Sequence, residues 1–66
     1  MSVVKVIELL AESPDGWEAA TKDAVKEAAK TIKNIKAVYV ENMQAVVEGD
    51  KIVTYRVNVK VSFVVE

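Results

Sequence analysis

Sixty-six residues without a single Cys or His form one small domain that has neither disulfides nor the usual zinc ligands to support it, because a core of this size buries only about 60% of the unfolded surface. Oligomerisation is the remaining means of stabilisation. Nine basic and ten acidic residues are interspersed without blocks, which argues against nucleic acid or an anionic membrane as partner.

The chain opens on Met1-Ser2-Val3-Val4-Lys5, which lacks the pattern of a leader, and no run reaches the ~20 apolar residues of a membrane span. A soluble cytoplasmic protein with a single domain over residues 1–66 is the expectation. From Val3 to Leu10 the density of β-branched residues predicts a first strand. Ser13-Pro14-Asp15-Gly16 then carries helix-start chemistry: Ser13 as N-cap, Pro14 at the first helical position and an acid in the first turn.

Between Trp17 and Ile35 the apolar positions Trp17, Ala20, Ala24, Ala28, Ile32 and Ile35 recur at three- and four-residue steps, with Lys22, Lys26, Lys30 and Lys33 on other faces. This predicts an amphipathic helix of about 20 residues, roughly 30 Å long, terminated near Asn34. Its Ala-rich stripe lets the axis approach whatever it covers, and Glu18, Asp23 and Glu27 form solvated pairs with neighbouring lysines. Beyond it, Ala37 to Val40 and Ala45 to Val47 form the first arm of a hairpin, and Glu48-Gly49-Asp50-Lys51 supplies its turn.

The second arm alternates most regularly, with Val53, Tyr55, Val57, Val59, Val61, Phe63 and Val65 on one face and Thr54, Arg56, Asn58, Lys60 and Ser62 on the other. A strand from Ile52 to Val65 is roughly 45 Å long, so about 15 Å of apolar sheet extends past the helix and must meet another subunit or bend over its own. On the first arm, strict alternation puts Ala37, Tyr39, Met43, Ala45 and Val47 together, opposite Val38, Val40 and Val46. The fold class expected is α+β, a β-α-β-β chain whose three-stranded antiparallel sheet wraps partly around one helix.

In this order, the chain resembles the dodecin family along essentially its whole length. The resemblance rests on Lys5-Val6-Ile7-Glu8-Leu9, Ser13 with Trp17, the stripe Ala20, Ala24 and Ala28, the segment from Thr31 to Ile35, and the run from Tyr55 to Phe63. It implies a hollow homododecamer with three-fold and two-fold contacts, a binding or storage shell for flavins such as riboflavin, lumichrome or flavin mononucleotide, held in stacked pairs near the two-fold contacts.

In the family a Trp at the start of the second strand stacks on the flavin ring, and a Gln directly after the last-strand Tyr bonds to its polar edge. Those positions are Ala37 and Arg56 here. Losing an aromatic stacking partner costs on the order of 1 to 3 kcal/mol per ring, and a guanidinium has donors only, so flavin affinity is expected to be weak or absent. Tyr39, on the face of Ala37, is the remaining aromatic surface beside the ring position. The start Ser13-Pro14-Asp15-Gly16-Trp17-Glu18, together with Ala37 and Arg56, resembles the calcium-associated members, and Glu41 and Asn42 are the candidate metal ligands.

Plainer roles stand beside these. Trp17 is expected to anchor core or interface packing, Arg56 to enter an inter-subunit salt bridge, and Tyr39 and Met43 to pack across a subunit contact. With no His or Cys, and with Ser2, Ser13 and Ser62 at a terminus, a cap and a strand, there is no common base or nucleophile, and no enzyme is expected.

Overall fold

The computed structural model describes residues 2–65; Met1 and Glu66, which the single-domain expectation includes, lie outside them. The elements are β1 (Val3–Ser13), α1 (Trp17–Ala29), β2 (Ile35–Glu48) and β3 (Lys51–Val65). They form one three-stranded antiparallel sheet in the order β1-β3-β2, with β3 in the middle. The helix packs on one face, against Ile7, Leu9 and Ala11 of β1 and Val57, Val59 and Val61 of β3. The expected β-α-β-β fold is the one observed.

The alternation on β3 decides which face is core. Val57, Val59 and Val61 are fully buried beneath Ala20, Ala24 and Ala28, and the small helical side chains bring the two backbones together. No residue of this buried cluster is larger than Val. Ile32, Ile35 and Val38 close its edge.

Both ends of the helix differ from the expectation. Ser13 is the last residue of β1, buried and paired with Tyr55, and its Oγ accepts a hydrogen bond from the Asp15 amide at 3.1 Å. The chain thus turns through Pro14 and Asp15, and Gly16 stands at the N-cap with φ 129°, a conformation that a side chain would resist. Ser13 is a turn-forming residue and Pro14 precedes the helix, because the long β3 offers β1 a pairing partner as far as Ser13.

At the other end the helix stops at Ala29. Thr31 and Ile32 still donate to the Ala28 carbonyl, at 3.2 and 3.0 Å, but these β-branched residues leave the helical path and Ile32 folds onto the core. Asn34, with φ 65°, reverses the chain several residues beyond the helix, and its carbonyl accepts from the Val64 amide at 3.1 Å. A 13-residue helix is only about 20 Å long, against roughly 50 Å for the 15 residues of β3. The uncovered sheet is therefore larger than the sequence suggested, and the molecule extends over 51 × 19 × 13 Å.

Register shifts interrupt the β2–β3 ladder between Ile35 and Ala37, Val40 and Asn42, and Val46 and Val47. The middle one inserts Glu41 as an extra residue. Because of it, Met43 pairs with Val57 on the helix side whereas Ala37 and Tyr39 pair with Ser62 and Lys60 on the opposite face. The expected grouping of Met43 with Ala37 and Tyr39 is corrected by this bulge, and Val46, opposite Thr54, exchanges faces as well. No helix among the described residues is long and apolar enough to cross a membrane.

Candidate functional site

The sheet face turned away from the helix collects nearly all the polar chemistry. Its rows follow from the register: Glu12, Arg56 and Gln44; Leu10, Asn58 and Asn42; Glu8, Lys60 and Tyr39; Val6, Ser62 and Ala37. Cross-strand neighbours on one face sit close enough to pair. Opposite charges accordingly meet in two of the rows.

Arg56 is held from both sides. Its Nε pairs with Glu12, and its Nη1 donates to Gln44 Oε1 at 3.5 Å. Arg56 thus forms an ion pair within its own chain, which is not the inter-subunit bridge expected of it. Glu12 escaped the sequence reading because only the register shows that it lies opposite Arg56, forty-four positions away.

Lys60 faces Glu8 across the β1 ladder, while the bulge turns Glu41 toward its ammonium, with Nζ to Oε1 at 3.1 Å. The hydrogen bond and charge of Glu41 hold the Lys60 ammonium above its ordinary pKa of 10.5, with smaller contributions from Glu8 and Tyr39. Ser62 Oγ donates to the Ala37 carbonyl at 3.4 Å. Between the two ion pairs, Asn58 Oδ1 is buried and has no hydrogen-bond partner among the described residues. Three carboxylates, Glu8, Glu12 and Glu41, thus share the face with two cations, Arg56 and Lys60.

The candidate ligand residues Ala37, Tyr39 and Arg56 all lie on this face. Ala37 and Tyr39 are close together and exposed. Arg56 is not beside them: Ala37 pairs with Ser62, six residues along β3 from Arg56, which is roughly 20 Å at ~3.3 Å per residue. One planar ring cannot touch both positions of a single chain. Glu41 and Asn42 do come together at the bulge, but Glu41 is engaged by Lys60, and no group of three acids or other metal-binding side chains assembles among the described residues.

Trp17 is a packing residue. Its ring meets Tyr55 edge-on at a centroid distance of 4.9 Å and an interplanar angle of 77°, and its Nε1 donates to the Gln44 carbonyl at 2.9 Å. The helix start is thereby fastened to both strands of the hairpin. Glu18 with Lys22 and Glu27 with Lys30 form surface pairs on the helix, at 3.3 and 2.9 Å, whereas Asp23, expected to pair as well, forms no ion pair among the described residues.

The family model described as Dodecin matches residues 3–66. The chain is 36% identical over 63 residues to the calcium dodecin of Mycobacterium tuberculosis (strain ATCC 25618 / H37Rv), covering 96% of this chain and 89% of that protein. Among solved structures it is similar to dodecin from Streptomyces coelicolor, with a TM-score of 0.93 and 26% identity over 98% of this chain and 93% of that one. It is also similar to the crystal structure of the Mycobacterium tuberculosis calcium dodecin, with a TM-score of 0.85 and 36% identity over 98% and 93% of the two chains. A buried Ala stripe beneath a long three-stranded sheet and a family match spanning nearly every residue carry the same conclusion: the chain belongs to the dodecin family.

Proposed function

We propose that this protein is a non-enzymatic, homododecameric binding shell in which flavin is held weakly or not at all. The observation that carries the reading is the separation of Ala37 from Arg56 along one sheet face. A ligand spanning the family's two contact positions needs residues from two copies, so binding and self-association are one property. The size of the core supports this. Six residues no larger than Val are its buried part, while Val3, Val4, Val6, Leu10, Tyr39, Met43, Val47 and Ile52 remain more than half exposed in the isolated chain. A single chain with so small a core stands at the lower limit of stability, and covering that apolar surface requires partners.

Ala37 offers no ring for stacking, and Arg56 is already engaged by Glu12 and Gln44. Both features weaken a flavin site of the usual kind. Titration of the purified protein with lumichrome and riboflavin, read by ligand fluorescence, is the test: quenching absent or only slight at tens of micromolar is expected, whereas saturation at nanomolar concentration would overturn the reading.

The second reading is a calcium-binding member, favoured by the 36% identity to a calcium dodecin. Calcium takes six to eight oxygen ligands. At the bulge Glu41 supplies one carboxylate and Asn42 one amide oxygen, and no group of three metal-binding side chains assembles among the described residues, so this reading requires a site completed by oxygens from a second copy. Calcium added to chelator-treated protein should then raise its melting temperature; an unmoved transition and no calorimetric heat would dismiss it.

A further inference from the structure

We infer that the hairpin tip of one copy docks into the cleft between the end of the helix and the end of the sheet on a second copy, giving a head-to-tail contact. This rests on the self-association proposed above and names the surfaces that meet. At the hairpin end, the sheet runs past Trp17, and the helix-side residues Val47 and Ile52 stand 57% and 53% exposed. At the opposite end lies an open cleft of about 420 Å³ lined by Thr31, Ile32, Lys33, Asn34, Phe63 and Val64, among others, a volume in the range that holds a ligand-sized body. An apolar projection at one end thus answers an apolar recess at the other.

Charge fits the same arrangement. The tip carries Glu48 and Asp50 against Lys51. Lys33 lines the cleft, while Lys5, paired with the lining residue Phe63, and Lys36, next to Phe63's other partner Ile35, lie at the same end of the sheet. None of these three lysines, and neither acid of the tip, forms an ion pair with a described residue. Opposite potentials at the two ends favour encounter in one orientation and oppose tip-to-tip or cleft-to-cleft pairing. A contact between two different surfaces of one chain is heterologous, and it closes into a ring when its rotation allows. The three-fold contact of the proposed shell is such a ring.

Charge-swap variants of the full chain test this, read by native mass and light scattering at low salt, with far-UV circular dichroism to verify folding. Glu48→Lys with Asp50→Lys, and separately Lys33→Glu with Lys36→Glu, should each weaken assembly by about tenfold or more. The chain carrying all four substitutions should assemble close to the wild-type concentration, because each reversed tip then meets a reversed cleft. Glu48→Lys alone serves as the milder tip variant if the turn residue Asp50 does not tolerate replacement. Assembly unchanged in both double variants, or a fourfold variant no better than either, would overturn the head-to-tail contact and leave self-association standing. A wild-type chain that is monomeric at tens of micromolar would instead remove the self-association reading itself.

Discussion

Replacing Ala37 by Trp should convert this chain into a measurably better flavin binder. Ala37 is exposed on the helix-free face, opposite the small Ser62, with Tyr39 two positions along the same strand. An indole there meets no buried neighbour and need not disturb the core, which lies on the other side of the sheet. Stacking of a planar ring on an aromatic side chain contributes about 1 to 3 kcal/mol, which corresponds to about one to two decades in Kd. A ring stacked at position 37 does not reach Arg56 of the same chain, since Ala37 pairs with Ser62, far along β3 from Arg56.

Lumichrome titration of wild type and Ala37→Trp, each followed by fluorescence and by native mass, measures affinity and assembly together. Arg56→Gln in the Ala37→Trp background should tighten binding further by supplying an amide with both donor and acceptor. If Ala37→Trp assembles like wild type and yet binds lumichrome no more tightly, the assignment of Ala37 to the ring position is wrong.

Three further outcomes follow from the packing and charges. Val59 is fully buried, and Val59→Ala removes two carbons at about 0.8 kcal/mol each and leaves a cavity; a loss of about 2 to 3 kcal/mol in urea unfolding at fixed protein concentration is expected, and a loss below 0.5 kcal/mol would contradict the assigned core. Trp17→Phe keeps the ring packing against Tyr55 but removes the bond to the Gln44 carbonyl, a cost of about 1 kcal/mol that near-neutral unfolding of the variant would refute. Lys60, raised above 10.5 by Glu41, contributes stability that is complete below the unfolded-state pKa and lost as pH rises through the higher folded-state value. Alkaline unfolding curves of wild type and Glu41→Gln should therefore diverge below pH 10.5 and converge above it, and parallel curves would show that the pair carries no linkage.

The core face of β3 was legible because strict alternation from Val53 to Val65 needs no partner to interpret it. The Ala stripe was legible for the same reason on the helix. What the sequence concealed was set by pairing: β1 runs on to Ser13 because β3 is long enough to receive it, which displaces the helix start from Pro14 to Trp17. The bulge at Glu41 reverses the alternation of β2, and nothing in Val40-Glu41-Asn42 marks it locally. Of the candidate site, the residue types at Ala37, Tyr39, Glu41, Asn42 and Arg56 were readable, and their common face was partly so. The Glu12 partner of Arg56 and the distance between Arg56 and Ala37 were not, since both depend on register.

A native mass and an absorption spectrum recorded on one purified sample decide whether this chain forms a flavin-free shell. A particle about twelve times the 7.3 kDa chain with no flavin absorption in the visible is expected. A monomer or dimer, or a twelve-chain particle that is yellow with flavin bound at full occupancy, would contradict it.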